Sequence, residues 1–237
     1  MYKVDNQTIK TYNPFVGCKF NCSYCYARAM ARRNTKCELC QEFKPHWHKD
    51  RLQFPMNRVW KQCFDADDTI FVCSMGDISW ATQNRFGDPT KTYLPENPIN
   101  RLFELIRSFP KTTFMLQSKN PKCFTELQKS YPDNLILGTT IETDLSTILI
   151  SQAPESIDRF VTFNNRKYIT IEPILKFTTD FIEMIKTIKP EFIYIGYDNH
   201  RHHLNEPTLA ETQQLIKDIK SMGIEVREKT IRKAWYE

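Results

Sequence analysis

Gly17-Cys18-Lys19-Phe20-Asn21-Cys22-Ser23-Tyr24-Cys25-Tyr26 sets three cysteines in the spacing C-x3-C-x2-C. Three thiolates on one short loop can hold three irons of a cubane cluster and leave the fourth iron without a protein ligand. An iron with an open site can take a small chelating ligand, which turns an electron carrier into a catalyst. Clusters held by four cysteines use other spacings. Eight cysteines scattered over 237 positions give roughly 0.01 such triplets by chance. The competing reading is a set of buried cysteines or a zinc knuckle, but no fourth ligand stands at zinc spacing inside this loop.

Outward from the loop, short β-rich runs alternate with amphipathic stretches. A first strand near Thr8–Tyr12 precedes the cysteines. Further strands are expected at Thr69–Cys73, Thr112–Leu116, Leu135–Ile141, Lys167–Ile171 and Phe192–Gly196, with Ile224–Arg227 as a candidate last one. Most are continuous apolar or β-branched runs, as parallel strands covered on their outer face require. Helices are expected at Asn100–Ser108, Phe124–Lys129 (after Pro121), Asp180–Ile188 and Thr208–Met222, the last ending at Gly223, where a C-cap glycine belongs. Strand-helix alternation implies right-handed crossovers and a parallel sheet. The expected fold is α/β, a partial (β/α)6 barrel in a single domain over 1–237, with an insertion at about 34–66 and a C-terminal strand and tail at about 224–237. Residues 34–66 and 83–98 are the longer irregular stretches and contain Pro45, Pro55, Pro89, Pro95 and Pro98.

Apolar residues make up 41% of the chain, ordinary for a globular protein. No run approaches the apolar length of a membrane span, and Met1-Tyr2-Lys3-Val4-Asp5-Asn6 has no apolar signal core. No membrane association and a cytoplasmic location are expected. Eight cysteines there favour metal or redox use over disulfides. The net charge of +5 permits an anionic partner, and equally suits a solvated surface with a small excess of Lys and Arg.

Ligands of parallel β/α folds sit at the C-terminal ends of the strands. After the second strand come Ser74-Met75-Gly76-Asp77, small residues followed by a carboxylate that suits an ammonium partner; alternatively Asp77 is a helix N-cap. After the third come Gln117-Ser118-Lys119-Asn120, after the fourth Glu142-Thr143, and after the fifth Glu172-Pro173. Gly196-Tyr197-Asp198-Asn199-His200 follow the sixth, and Lys229 the last. Cys73 closes its strand beside the cysteine loop and is a candidate hydrogen-atom donor. Cys63, Cys123 and, as the alternative to that role, Cys73 read as small buried hydrophobes. Cys37 and Cys40, followed by His46 and His48, are a candidate second metal site for zinc. Against it, roughly 0.3 C-x2-C pairs arise by chance, and H-x-H spacing tends to splay two ligands. His200, Arg201, His202 and His203 form a basic cluster. Trp47, Trp60, Trp80 and Trp235 could stack on bases or pack on the barrel.

The cysteine motif, with the aromatic Tyr24 before its third cysteine, resembles the signature of the radical S-adenosylmethionine (SAM) superfamily. Tyr12-Asn13-Pro14, Cys22-Ser23-Tyr24-Cys25-Tyr26-Ala27, Ile70 to Asp77, Ile171-Glu172-Pro173 and Pro45-His46-Trp47-His48-Lys49-Asp50-Arg51-Leu52 resemble a smaller group within it. That group is a phage- and prophage-associated radical SAM family with an uncharacterised domain, which co-occurs with three-Cys-motif partner proteins. One departure is that Gly196-Tyr197-Asp198 lacks the second glycine and the glutamate expected there. The resemblance implies a [4Fe-4S] cluster on Cys18, Cys22 and Cys25, and SAM on the open iron. Ser74-Met75-Gly76-Asp77 resembles the superfamily's glycine-rich motif for the SAM amino group. With Tyr24 and the strand-end residues Glu142 and Glu172 it makes up the candidate SAM contacts. Glu172, Lys119 and Cys73 are the catalytic candidates, and a flavodoxin- or ferredoxin-like reductant is expected. Three functions follow. The first is a radical SAM enzyme acting on a nucleobase, nucleotide or nucleic acid, with isomerisation of a hypermodified thymidine in phage DNA as one such reaction. The second modifies a peptide or protein with a separate partner. The third is a non-catalytic iron–sulfur or zinc module.

Overall fold

A computed structural model of the chain describes residues 2–4, 7–52, 64, 67–83, 97–125, 131–159 and 166–237. Trp60, Cys63, Pro55, Pro89, Pro95 and the end of the expected Phe124–Lys129 helix lie outside these ranges.

Strands β1 (Tyr2–Val4), β2 (Gln7–Tyr12), β5 (Thr69–Val72), β6 (Thr113–Gln117), β7 (Leu135–Thr140), β8 (Lys167–Ile171), β9 (Phe192–Ile195) and β10 (Glu225–Glu228) lie in that spatial order in one sheet. From β2 to β10 all neighbours are parallel, and β1 adds an antiparallel edge. Seven parallel strands curl into an open half-barrel, the partial barrel expected from the sequence with one strand more. β10 is a full member, paired with β9 from Glu225↔Phe192 to Glu228↔Ile195.

The continuous apolar runs reflect burial on both faces of the sheet. Side chains alternate across it. Ile70, Val72, Phe114, Leu116, Leu135 and Leu137 face outward and pack with Leu102, Phe103 and Ile106. Ile169, Ile171, Ile193 and Ile195 pack with Phe181, Ile185, Leu215 and Ile219. The residues between them, Met115, Ile136, Tyr168 and Tyr194, form an inner cluster with Ile9 and Phe71. The outer helices start and stop where local chemistry dictates. The α4 helix (Pro98–Arg107) begins with Asn97 accepting from the Ile99 N–H at 3.0 Å, with proline in its first turn. Helix α6 (Asp180–Ile188) covers β8 and β9. Helix α7 (Leu209–Ser221) opens with a Thr208/Glu211 capping box, and Gly223 follows it at φ +78°.

Several short elements carry no periodicity to read. These are β3 (Phe15–Val16) and β4 (His46–Trp47), which pair as an antiparallel ribbon, and α1 (Tyr26–Ala31), α2 (Glu38–Gln41), α3 (Ser79–Gln83) and α5 (Lys122–Thr125). The insertion thus contains α2 and β4. Among the described residues no helix is long and apolar enough to cross a membrane.

Candidate active site

The cysteine loop leaves the ribbon at Val16 and crosses the top of the half-barrel. It is fastened on three sides by backbone hydrogen bonds. Gly17 N–H donates to the Met75 carbonyl at 3.1 Å, and Asp77 N–H to the Gly17 carbonyl at 3.3 Å. Cys18 N–H donates to Phe43 at 3.3 Å. On the far side Ser23 N–H reaches Ile150 at 2.8 Å, and Gln152 N–H reaches Phe20 at 2.6 Å. Gly76 makes the inner contact possible and Gly17 the contact to the insertion. Gly17 has φ +98°, and a Cβ on it would lie 2.2 Å from the Lys44 carbonyl oxygen.

Cys18, Cys22 and Cys25 line one cavity of about 260 Å³, slightly below the usual range for small-molecule clefts. Tyr24, Cys73, Ser74, Gly76, Asp77, Lys119 and Glu172 line it too. Cys18 accepts from the Phe20 N–H at 3.4 Å, and the Cys22 sulfur lies 3.1 Å from Ser151 Oγ. Burial, then Asp77, push the Cys18 thiol far up, and burial raises Cys25. Thiols so buried hold their protons unless a cation displaces them, which a coordinated metal does. The donor set of three cysteines on one wall of a cavity therefore fits an iron–sulfur cluster. The Tyr168 hydroxyl, buried in the same wall, has no hydrogen-bond partner among the described residues.

The Ser74–Asp77 segment lies against the loop at the C-terminal end of β5. Tyr26 donates to the Ser74 carbonyl at 2.9 Å. Asn13 Oδ1 accepts from Ser74 Oγ at 3.1 Å and from the Met75 N–H at 3.0 Å. Met75 does not line the cavity and packs behind the loop instead. Asp77 is at the cavity wall, but its carboxylate is largely engaged. Oδ1 accepts from Ser79 N–H (3.0 Å), Ser79 Oγ (2.7 Å) and Ser118 Oγ (2.6 Å), and Oδ2 from Lys119 N–H (2.8 Å). The capping alternative for Asp77 is thus realised in the geometry, at the start of α3.

Lys119 and Glu142 form a buried network. Glu142 is fully buried, outside the cavity lining. It pairs with Lys119, accepts from Tyr24 OH at 2.6 Å, and receives Arg159 Nη1 at 2.6 Å. Lys119 Nζ also donates to Tyr24 OH at 2.7 Å and stands 3.8 Å from the Cys22 sulfur. Burial opposes the charge on Glu142, but Lys119 and then Arg159 overcome it and hold the carboxyl well below the usual carboxylate range. Tyr24 and Lys119 therefore brace the loop, with Lys119 still reaching the cavity.

Glu172 pairs with Lys229 across the strand ends of β8 and β10, and both face the cavity. Beyond β9, Asp198, Asn199 and His200 line it as well. The basic cluster divides. His200 stacks on Tyr26 with ring centroids 6.4 Å apart, His202 Nδ1 lies 2.8 Å from Asp198, and His203 packs on Trp235. Arg201 is exposed and outside the cavity. Trp47 and Trp80 pack on Phe15 and Phe20. Cys73 and Cys123 are both buried in the outer core, and Cys73 also borders the cavity. Cys37, Cys40, His46 and His48 converge outside the cavity, with ligand atoms all within 4.8 Å of one another.

Sequence reasoning missed Arg159, Ser151 and the locking role of Asn13. Arg159 and Ser151 sit in an irregular stretch with no pattern. Asn13 could have been found as the polar residue closing the first strand.

A family model described as "Protein of unknown function (DUF5131)" matches residues 5–189. The chain belongs to the DUF5131 family. The matched segment of this DUF5131 protein carries the cysteine loop, the Cys/His group, Asp77, Lys119 and Glu172, and ends before β9, so Asp198, His200 and Lys229 lie beyond it. No curated protein matches the sequence. Among solved structures, the fold is similar to a spore photoproduct lyase with a tyrosine-to-phenylalanine mutation, at TM-score 0.55 and 9% identity over 86% of this chain and 58% of that one. It is also similar to a cysteine-to-alanine mutant of spore photoproduct lyase with dinucleoside spore photoproduct, at TM-score 0.53 and 9% identity over 87% of this chain and 59% of that one. The chain spans under three fifths of those proteins, and at this identity the likeness is one of fold.

Proposed function

We propose that this DUF5131 protein is a radical SAM enzyme acting on a nucleobase, nucleotide or nucleic acid. The observation that carries the reading is the meeting of Cys18, Cys22 and Cys25 with the strand ends at Ser74–Asp77, Lys119 and Glu172 around one cavity. The half-barrel fold supports it.

Cys18, Cys22 and Cys25 would hold a [4Fe-4S] cluster. The chemistry such a group supplies when bound is one-electron reductive cleavage of SAM to methionine and a 5′-deoxyadenosyl radical. The chain's own residues do the rest. Backbone groups of Ser74–Asp77, held by Asn13 and Gly17, receive the amino-acid end of SAM. Glu172 accepts from the ribose hydroxyls. Phe71, Met115 and Tyr194 exclude water from the cavity floor. Cys73, a residue of the cavity wall, is the candidate hydrogen-atom donor, and a flavodoxin- or ferredoxin-like protein is the reductant.

The nucleic-acid preference rests on the net charge of +5, on His200 and the aromatic wall, and on the dinucleoside bound by one fold neighbour. Modification of a hypermodified thymidine in phage DNA is the specific reaction we favour. A second reading, modification of a peptide or protein with a separate partner, draws on Ile148 (73% exposed), Leu149 (96%) and Ile157 (65%), carried by the loop that binds Ser23 and Phe20.

Anaerobic reconstitution tests the enzyme class. It should load about four irons per chain, and SAM with dithionite should then yield 5′-deoxyadenosine. Cys22→Ala should do neither. A loaded protein that leaves SAM intact would overturn the reading. DNA binding that weakens steeply with salt separates the two substrate classes.

A further inference from the structure

The Cys/His group in the insertion has the geometry of a metal site. Cys37 stands just before α2 and Cys40 within it, while His46 and His48 flank Trp47 at β4. Residues two apart on a strand share a face, so the expected splay of an H-x-H pair does not occur. The rings lie 4.6 Å apart, centroid to centroid.

Four of the six ligand-to-ligand distances match the edges of a tetrahedron, and all six lie within 4.8 Å. His46 Nε2 is 3.4 Å from Cys37 Sγ and 3.5 Å from Cys40 Sγ, and His48 Nε2 is 3.3 Å from Cys40 Sγ. The two Nε2 atoms are 3.1 Å apart. Zinc bonds of about 2.3 Å to sulfur and about 2.05 Å to nitrogen, at tetrahedral angles, require S–N edges of about 3.5 Å and an N–N edge of about 3.3 Å.

The tautomer agrees. His46 Nδ1 lies 2.7 Å from the Lys44 carbonyl, which can only accept, so the proton is on Nδ1. Nε2 then points a single lone pair at three heavy atoms, more than hydrogen bonding can satisfy and what one central cation explains. A ring N–H on a backbone carbonyl is also the usual support of a ligating histidine.

We propose that Cys37, Cys40, His46 and His48 bind one Zn²⁺ as a closed structural site that buttresses the cysteine loop from outside the cavity. Two thiolates and two imidazoles fill all four positions and leave none for substrate. The knot is stitched to the residues that lead into the loop. Phe15↔Trp47 and Val16↔His46 pair, His48 N–H donates to Pro14 at 2.8 Å, and Phe43 accepts from Cys18. The zinc assignment stands without the radical SAM reading; the buttress rests on that reading.

The experiment uses the full chain, free of any metal-binding tag, with Cys18, Cys22 and Cys25 all changed to alanine so that no cluster competes. Purified from zinc-containing medium, this variant should carry one zinc per chain by elemental analysis. Apo protein refilled with Co²⁺ should show the visible absorption of tetrahedral thiolate-bound cobalt. Adding His46→Ala should lower zinc at least tenfold, whereas His46→Cys, which keeps four ligands, should retain it. A folded triple variant with neither zinc nor a cobalt spectrum, iron in place of zinc, or zinc that survives Cys37→Ser with His46→Ala would each overturn the site. In the chain with its loop cysteines intact, stripping the zinc before reconstitution should at least halve the iron taken up; unchanged uptake would overturn the buttress.

Discussion

Gly17 and Gly76 meet backbone to backbone, in a bridge where a Cβ on Gly76 would lie 2.8 Å from the Gly17 carbonyl oxygen and 2.9 Å from its nitrogen. Neither atom belongs to a flexible side chain, so the two segments must separate to admit a methyl group. Overpacking of this kind costs about 1–3 kcal/mol. Gly76→Ala should therefore lower the melting temperature and displace the cysteine loop, and iron uptake on reconstitution should fall by more than half. Full uptake would show that the loop does not depend on this approach.

Glu142 gives stability a pH dependence of defined sign. Its folded-state pKa is depressed, so the stabilisation is present above the unfolded value, about 4.3, and is lost as pH falls through the folded one. Lys119 runs the other way. Burial would lower it, but Glu142 and Tyr24 raise it well above its ordinary value, so its share is lost only as pH rises past that range. Glu142→Gln leaves Lys119 and Arg159 facing a neutral group, and removing one partner of a buried pair costs about 3–5 kcal/mol. Urea unfolding at pH 7 should show that loss, and the gap to the parent protein should narrow below about pH 4. A gap independent of pH would argue against the ion pair as its source.

What could be read in advance follows from the length of the pattern. The parallel strands and the α4, α6 and α7 helices were legible because each buries several residues at a fixed period, and the strand-end rule then brought Asp77, Lys119, Glu172 and Lys229 to one mouth. The rule fixes which end of the sheet a residue occupies, but not where its side chain turns. Glu142 obeys it and still points away from the cavity, because Arg159, a residue no pattern marks, lies behind it. Met75 likewise occupies its expected position while packing backward. The β3–β4 ribbon, with two residues per strand, has no period at all, and it is the element that aligns His46 with His48.

The hydrogen-atom donor role proposed for Cys73 can be tested by isotope transfer. Burial pushes its thiol up to about 12, so it remains S–H at neutral pH, and it lines the cavity. After exchange in D2O the group is S–D. When SAM is cleaved without substrate, transfer of that deuterium to the 5′ carbon would give singly labelled 5′-deoxyadenosine and leave a thiyl radical for dithionite to reduce. Mass spectrometry should find the label in the parent protein and less than half as much in Cys73→Ala, with iron content equal. Equal labelling in the two proteins would remove Cys73 from this role.

Glu172 and Lys229 pair across the mouth, and Gly196 makes room for them. A Cβ there would stand 3.1 Å from the Lys229 Cβ and 3.5 Å from Glu172 Oε1. The pairing gives Glu172 a fixed orientation and leaves its other oxygen for a hydroxyl donor. Hydrogen bonds to a charged group contribute about 1.5–3 kcal/mol, so Glu172→Gln should weaken SAM binding by at least about tenfold while iron content stays constant. If Lys229 acts on SAM only by orienting Glu172, Lys229→Met should weaken binding less, and the double variant should bind no worse than Glu172→Gln alone. Additive losses measured by calorimetry on the reconstituted protein would mean that Lys229 touches the ligand itself, and would move it from positioning residue to binding residue.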